Sequence, residues 1–512
     1  QTPNPKPQTP NPKPQTPDKE KGINRSMRPV RPRSILEGDN AEPAPQPITI
    51  RSRNFSYESN ISYLKDSVTG DRYTKYLCNK VPSVNAAYFV TFVISMISGM
   101  VGGFSRSLFI DLHEAGVSYK DQSLFAIINY PSFLRIATAP LVDIVFSKKV
   151  GKCKTYIVTA GMVLGLTWVI TAPLTDGMIS TSGMVPLTII WTFIFQVLVF
   201  YQSAADTYLL KITAEADKSG ISMCQDLGLA TGEFLAFNLY LPLSSLKYVN
   251  DLEIFKEPLT TPLLNHARFL YFMGGIAISF SLYFLFFISE RVIETRANAQ
   301  DCLNIGRVIG RMFSFKSTRD LIIYMVLNKI FRSLIINSLI LKLMDYGFTK
   351  ANMANVETVT FPLFFFISYC WLKKLMVGRL MKINHWTGIV CNFLLLGRYF
   401  LILDLMHNQN KVRTFWLLSL MTFIEKFAVR PVFLAAFVNR IAPPEIGSTF
   451  VAFIKSLVAA AGAIPATLGM YMVESPYYSY DMFVLVPLGL QMALSVYHYQ
   501  YAEDLDFADK KL

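Results

Sequence analysis

The chain has 512 residues, 52% of them apolar, with a formal charge of +13 and a mean hydropathy of +0.33. Apolar content at that level, spread evenly over so long a chain, excludes a soluble enzyme and a receptor with one span. The positive charge does not indicate nucleic acid, because the basic residues fall in an N-terminal segment and in alternate loops, where they act as topology signals.

Residues 1–17 read QTPNPKP twice and then QTP. Proline at that density keeps a segment extended and hydrated. Arg28, Arg31, Arg33, Arg51, Arg53, Arg72, Lys75 and Lys80 follow, so 1–82 is predicted to be a disordered, basic, Pro-rich cytosolic tail. No apolar run within it is long enough for a signal-peptide core, and the first span is expected to serve as the targeting signal.

From Ser83 to Tyr501 an apolar run and a short polar break alternate about a dozen times. Roughly 20 apolar residues at 1.5 Å rise cross a hydrocarbon core of about 30 Å. Spans are predicted at 84–108, 122–146, 154–173, 184–210, 220–243 and 267–289, then at 319–345, 353–376, 383–405, 413–438, 447–473 and 481–501. The expected fold is an all-α membrane protein of twelve transmembrane helices in two six-helix bundles, 83–290 and 319–502. The longest break, with Arg291, Arg296, Arg307, Arg311 and Lys316, makes 291–318 a cytosolic linker, and 503–512 is a cytosolic tail. Breaks at 147–154, 211–219, 290–318 and 373–382 are basic, whereas 174–183 and 474–480 hold no Lys or Arg, which places both termini in the cytosol. Gly228-x-x-x-Gly232 in the fifth span and the small patch Ala459 to Gly462 in the eleventh occupy the same place in each half, as expected of internal repeats.

Charges inside these runs are informative, since each costs about 2.5–3.5 kcal/mol at mid-membrane on insertion scales. Arg135, Lys329, Arg332, Arg398, Lys426, Arg430 and Lys455 are such residues. Lys426 and Arg430 are four apart and share a helical face. Together these bases favour a cavity that accepts an anion, Arg through its bidentate fork and Lys as a mobile point charge. Substrate binding is assigned to Arg332, Lys329, Arg430 and Lys426, with Arg135 and Arg398 added, although Arg398 could instead pair with a carboxylate and Lys455 could snorkel.

Among the acidic residues Asp206, Asp226, Glu233, Asp404 and Glu425, the deepest are Glu233 and Glu425. These two, with Asp206, are candidates for proton coupling or charge pairing. After the second span, Asp143 is followed by a tight basic loop through Gly151 and Lys152. This loop resembles the one between spans 2 and 3 of the major facilitator superfamily, which implies a conformational latch; an ordinary positive-inside loop is the alternative. Prolines 131, 140, 362, 431, 465 and 487 are expected to bend helices. The cysteines, Cys78, Cys153, Cys224, Cys302, Cys370 and Cys391, lack metal or disulfide spacing. The histidines, His113, His266, His385, His407 and His498, are placed at span ends or in loops without catalytic spacing, so the chain is not read as an enzyme.

Certain strings are more specific: GVSYKDQ at 116–122, APLVD at 139–143, AADTYLL at 204–210, Asn328-Lys-Ile leading to Leu341-Lys-Leu343, and PEIGSTFVAFIKSLVAAAGAIPATLGMYMVE at 444–474. With these the chain resembles the acetyl-coenzyme A transporter family within the major facilitator superfamily. The resemblance implies a carrier moving acetyl-CoA from cytosol into the endoplasmic reticulum lumen by alternating access, with proton coupling as one mode. It implies acetyl-CoA and the lipid bilayer as partners, with no cofactor, metal or nucleic acid; a homodimer is compatible with it. The family's fourth span carries Gln-Asp-x-Ala-x-Asp; here Asp206 keeps the second acid, and Tyr201 and Gln202 replace the first pair. Bacterial muropeptide permeases share much of the pattern. A carrier of another anionic solute, muropeptide- or nucleotide-like, and a non-transporting scaffold or receptor therefore stay open as alternatives.

The Asn-x-Ser/Thr sequons at Asn24, Asn54 and Asn60 all lie in the tail assigned to the cytosol. They are expected to remain unmodified, so endoglycosidase should leave the electrophoretic mobility of the expressed protein unchanged. A shift would invert the topology.

Overall fold

The computed structural model describes residues 84–288 (except 145, 148–149, 181, 213–217, 252 and 254–258), 316–362, 380–428, 447–473 and 479–509, with isolated positions 310 and 437–438. All fall in the compact unit Tyr73–Leu512. The predicted tail and nearly all of the linker lie outside the described residues, as do Arg430 and the side chains of Asp143 and Lys426.

The described residues form helices and no strand. In chain order they are α1 (Val84–Glu114), α2 (Tyr119–Phe125), a 3₁₀ segment (Ala126–Leu134), α3 (Arg135–Ile144), α4 (Lys152–Met178) and α5 (Met184–Ile212). Then come α6 (Lys218–Glu233), a π segment (Phe234–Leu239), α7 (Tyr240–Leu243), α8 (Leu246–Asp251) and α9 (His266–Phe287). The second half contains α10 (Lys316–Asp345), a helical stretch over 350–362, α11 (Leu380–Asn408), α12 (Lys411–Ala428), α13 (Gly447–Val473) and α14 (Tyr480–Asp509).

Among the described residues, 8 helices are long and apolar enough to cross a bilayer, within α1, α4, α5, α9, α10, α11, α13 and α14. Their outer faces carry large apolar side chains that water would not tolerate in such number, with Ile170 67%, Phe286 74% and Val496 75% exposed. This is a multi-pass membrane protein. The second and fifth predicted spans do not form single α-helices. The second is interrupted by 3₁₀ geometry around Pro131, which has no backbone N–H to donate. The fifth changes to π geometry directly after Glu233. Short 3₁₀ and π insertions of this kind mark hinges and functional positions.

Helix ends in the two halves are built alike. After α1 the chain reads Leu112-His-Glu-Ala-Gly116-Val-Ser118, and after α10 Leu343-Met-Asp-Tyr-Gly347-Phe-Thr349. Gly116 has φ 79 and Gly347 φ 84, the left-handed conformation that glycine adopts without strain. The next amide returns to the helix in each case, Val117 N–H to Leu112 O at 3.1 Å and Phe348 N–H to Leu343 O at 3.1 Å, which satisfies the terminal carbonyls. Ser118 and Thr349 then cap the following helix, accepting from the amides of Asp121 and Asn352.

Glycine also fixes how the helices approach. A Cβ on Gly228 or Gly232 would overlap the carbonyl oxygens of Phe92 and Met96, so α6 lies backbone against backbone on α1. The equivalent pair in the second half is α10 with α13, where a Cβ on Gly469 would overlap the Leu334 carbonyl. In the first-half core Phe104 stacks between Trp191 (5.5 Å) and Phe269 (5.4 Å).

Gly232→Leu is therefore expected to remove most folded protein, at a cost of at least about 3 kcal/mol by overpacking. Gly489→Ala, where no atom lies within 4 Å of the added carbon, is the matched control. Thermal stability of the detergent-solubilised protein checks both.

Candidate functional site

Among the described residues, three groups of buried charge lie along the helices. The first joins the two halves at the end where α1 and α10 finish. Lys350 donates to Asp111 (3.1 Å) and Glu114 (2.8 Å), while Tyr119 donates to Asp345 at 2.7 Å and His113 lies 3.1 Å from the same carboxylate. Tyr119 and Lys350 each stand three residues after the turn glycine, and Glu114 and Asp345 two before it. The contacts are therefore reciprocal: each half reaches with the same repeat position for the acidic position of the other. His266 extends the group into α4, between Asp111 (3.0 Å) and Asp176 (2.5 Å).

The second group lies near mid-helix. Arg106 of α1 meets Glu357 at 3.0 Å and Glu233 at 3.9 Å, and its guanidinium sits 4.4 Å from the centroid of the Phe237 ring. The π segment carries Phe237, so the switch in helix geometry after Glu233 presents both residues to Arg106. In the second half, Glu425 is held between Arg332 and Arg398, the latter at 2.5 Å and also 3.4 Å from Thr422. Between these two clusters is a cavity of about 60 Å³ whose polar wall is Arg106, Glu357, Arg398 and Thr422, the rest being aliphatic side chains and Phe237. The side chain of Arg106 is 37% exposed there.

The third group lies toward the other end. Asp206 accepts from Lys455 at 2.7 Å and faces Arg135 at 3.8 Å, and Arg135 also donates to Gln202. This pairing joins α5 to α13, again across the halves.

The structure thus brings Arg332, Arg398 and Glu425 together and places Arg135 and Asp206 in a separate cluster with Lys455. Glu233 sits with Arg106. Lys329 runs along α13, where its Cε would lie 2.7 Å from a Cβ on Gly462. Gly151 has φ 111 and is buried immediately before Lys152, which opens α4. Each basic residue in the mid-helix group has an acidic partner: Arg106, Arg332 and Arg398 stand against Glu233, Glu357 and Glu425. Such a set captures an anion only when a carboxylate is displaced or protonated. The histidines placed at span ends need one amendment: His385 (1% exposed) and His498 (3%) are buried within α11 and α14.

Arg106 and Glu357 were not among the sequence candidates. Arg106 falls at the edge of the predicted span 84–108, whereas α1 runs on to Glu114, which sets Arg106 about 12 Å inside the helix end. Glu357 sits similarly close to the start of the predicted span 353–376.

Residues 103–302 match the family model described as Acetyl-coenzyme A transporter 1. An uncharacterized protein of Schizosaccharomyces pombe is 24% identical over 400 residues, covering 76% of this chain and 74% of the relative. An uncharacterized membrane protein of Saccharomyces cerevisiae is 21% identical, covering 70% of this chain and 77% of the relative. Among solved structures, the human organic anion transporter MFSD10 aligns with a TM-score of 0.56 at 13% identity, covering 83% of this chain and 100% of that one. The fucose:proton symporter of E. coli aligns at 0.52 and 13%, covering 82% and 98%. The resemblance read from the sequence is thus matched over residues 103–302, and the fold is that of the major facilitator superfamily, whose members aligned here are transporters rather than enzymes.

Removing Lys350 leaves Asp111 (6% exposed) with His266 as its remaining partner and takes the ammonium from the half-exposed Glu114, so the bridge between the halves at this end is lost. Lys350→Ala should open this end, raising several-fold the labelling of a cysteine placed at Val117 by a membrane-impermeant maleimide. The double variant Asp111→Asn/Lys350→Met should restore part of the protection.

Proposed function

We propose that the protein carries acetyl-CoA from the cytosol into the endoplasmic reticulum lumen by alternating access, with proton uptake at Glu425 linked to substrate binding. Twelve transmembrane helices in two six-helix bundles, 83–290 and 319–502, with both termini and the 291–318 linker in the cytosol, form the framework of this reading. The observation that carries it is the pair of facing clusters around one cavity, Arg106 with Glu357 and Arg398 with Glu425 and Arg332. The family match over residues 103–302 supports the choice of substrate.

In this reading Glu425 and Arg332 exchange partners. While Glu425 is ionised it neutralises Arg332 and Arg398, and the cavity has little affinity for an anion. Protonation of Glu425 releases both guanidinium groups, whose fork geometry suits the phosphates of coenzyme A. Arg106 offers the first-half contact beside the aliphatic wall, and the cavity, about 60 Å³ here, has to widen to take a molecule of this size. Lys426, Arg430 and Lys329 are proposed to add positive charge, and Arg135 to act with Asp206 and Lys455 at the opposite closure. Asp143, Gly151 and Lys152 are proposed as the latch of that same closure, and Glu233 as a second acid beside Arg106. A second copy of the chain as homodimer partner is compatible with this scheme.

A carrier for another organic anion is the second reading, favoured by the fold shared with an organic anion transporter. A scaffold is disfavoured, because it has no use for charges converging on a cavity within the membrane.

Uptake of radiolabelled acetyl-CoA into proteoliposomes, competed by CoA, ATP and sugar phosphates, tests the proposal. Saturable uptake competed by CoA is expected. Arg332→Ala should lower uptake about 10- to 150-fold, corresponding to the roughly 1.5–3 kcal/mol of a hydrogen bond to a charged group, with Arg332→Lys intermediate. Wild-type rates in both variants at normal abundance would remove Arg332 from the site.

A further inference from the structure

Inside the second half, three helices turn polar edges toward one another away from the cavity. On α10 the edge is Tyr324, Asn328 and Arg332, spaced by four and so on one face. On α14 it is Gln491, Ser495 and His498, and on α11 it includes Asn384, His385 and Asn392. The edges interlock: Gln491 donates to Asn328 at 3.4 Å, and Asn392 donates to Ser495 at 3.0 Å. The Tyr324 ring stacks on His498 at 3.6 Å, and His385 lies 5.9 Å from His498. These groups are deeply buried, with Asn384 and Gln491 at 0% and Asn392 at 1% exposure.

The seam is not a closed set of hydrogen bonds. Among the described residues, Asn328 Nδ2, Asn392 Oδ1, Gln491 Oε1 and both amide atoms of Asn384 have no protein partner. An orphan buried amide atom costs about 1–3 kcal/mol, which side chains serving only as helix-to-helix glue would avoid by pairing reciprocally. Such atoms are the usual anchors of internal water. The seam also has direction. His385 is close to the start of α11 and His498 belongs to the outgoing part of α14, so both imidazoles mark the end of the bundle where α10 begins. From there the edge runs to Asn328, one turn before Arg332, which has Cys391 beside it and holds Glu425 together with Arg398.

We propose that this seam is a proton route from the aqueous phase at the α10 entrance to the carboxylate of Glu425. A proton bound at His498 or His385 passes to water held by the amides and is delivered to a Glu425 oxygen, which becomes a neutral carboxylic acid. Release of that proton to the opposite aqueous phase, once the carrier has reoriented, restores the carboxylate, and no other bond changes. Asn and Gln do not titrate, so they position water; Tyr324, His385, His498, Cys391, Arg332, Arg398 and Glu425 are the titratable groups facing the path. The inference rests on the reading of Glu425 as the proton-coupled acid.

The test uses proteoliposomes of the full chain with an entrapped pH dye, following acetyl-CoA uptake and lumenal acidification together. Wild type is expected to acidify on adding acetyl-CoA. Asn392→Leu and Gln491→Met should slow acidification at least about tenfold, with the melting temperature and the acetyl-CoA thermal shift unchanged. His498→Gln, which keeps a polar group but cannot titrate, should be slowed, and Glu425→Gln should abolish acidification. Normal acidification in Asn392→Leu and Gln491→Met overturns the route while leaving Glu425 in its role. Loss of folding in both variants, or of binding in step with proton movement, assigns the seam to packing and overturns the route. Wild-type uptake without acidification overturns the coupling and the route together.

Discussion

A charge that leaves water for a bilayer must be met by an opposite charge, and most of this structure follows from where those meetings occur. Among the described residues, the mid-membrane bases of these clusters stand against carboxylates. Arg332 and Arg398 share Glu425, Arg106 shares Glu233 and Glu357, and Asp206 gathers Arg135 and Lys455. Removing the shared member of such a set leaves uncompensated charge, which costs about 3–5 kcal/mol for a buried pair, so the helices that carry the members are bound to each other. Charge pairing here is a packing constraint as much as a chemical one.

The repeat makes that constraint useful. Lys350 reaches the first half from the position that Tyr119 occupies in the other repeat, and each ends on the acidic side of the partner's glycine turn. The turns themselves are rigid, because a left-handed glycine and a returned amide bond close each helix. Backbone contact at Gly228, Gly232 and Gly469 ties each turn-bearing helix to a neighbour of its own half. The side chains bridging the halves, Lys350 at one end and Lys455 at the other, are the contacts that a rocking motion of the proposed carrier would exchange.

How much of this was readable in advance depended on whether the information was local. Helix length and apolarity are local, and α1, α4, α5, α9, α10, α11, α13 and α14 fall where the spans were predicted. The GxxxG pair at Gly228 and Gly232 was also legible, because small residues four apart have one use in a membrane helix. The 3₁₀ and π segments were not: they differ from an α-helix by one residue in hydrogen-bond register, which composition does not reveal. Arg106 was passed over because a hydropathy boundary at 108 put it at the water interface, while the helix continues to Glu114. The shared turn after Leu112 and Leu343 was visible in principle, since Gly116 and Gly347 each precede an apolar residue and then Ser or Thr. Which base faces which acid was not, because those partners are tens to hundreds of residues apart.

A balanced set of charges suits a carrier better than a bare basic cavity. Guanidinium groups held without a carboxylate would bind a polyphosphate tightly, and a site that binds too well does not release. In the proposed reading an acid between Arg332 and Arg398 solves this by competition, since an anionic substrate and Glu425 would seek the same donors. The effective affinity is then the difference of two large terms and can be shifted by one proton, whose addition is worth about 1.4 kcal/mol per unit of pKa change. Arg398 lines the cavity while Arg332 does not, and both hold the same carboxylate, so protonation of Glu425 would weaken both contacts at once. In the proposed scheme the three side chains thus place the acid between the cavity side, at Arg398, and the polar seam, at Arg332.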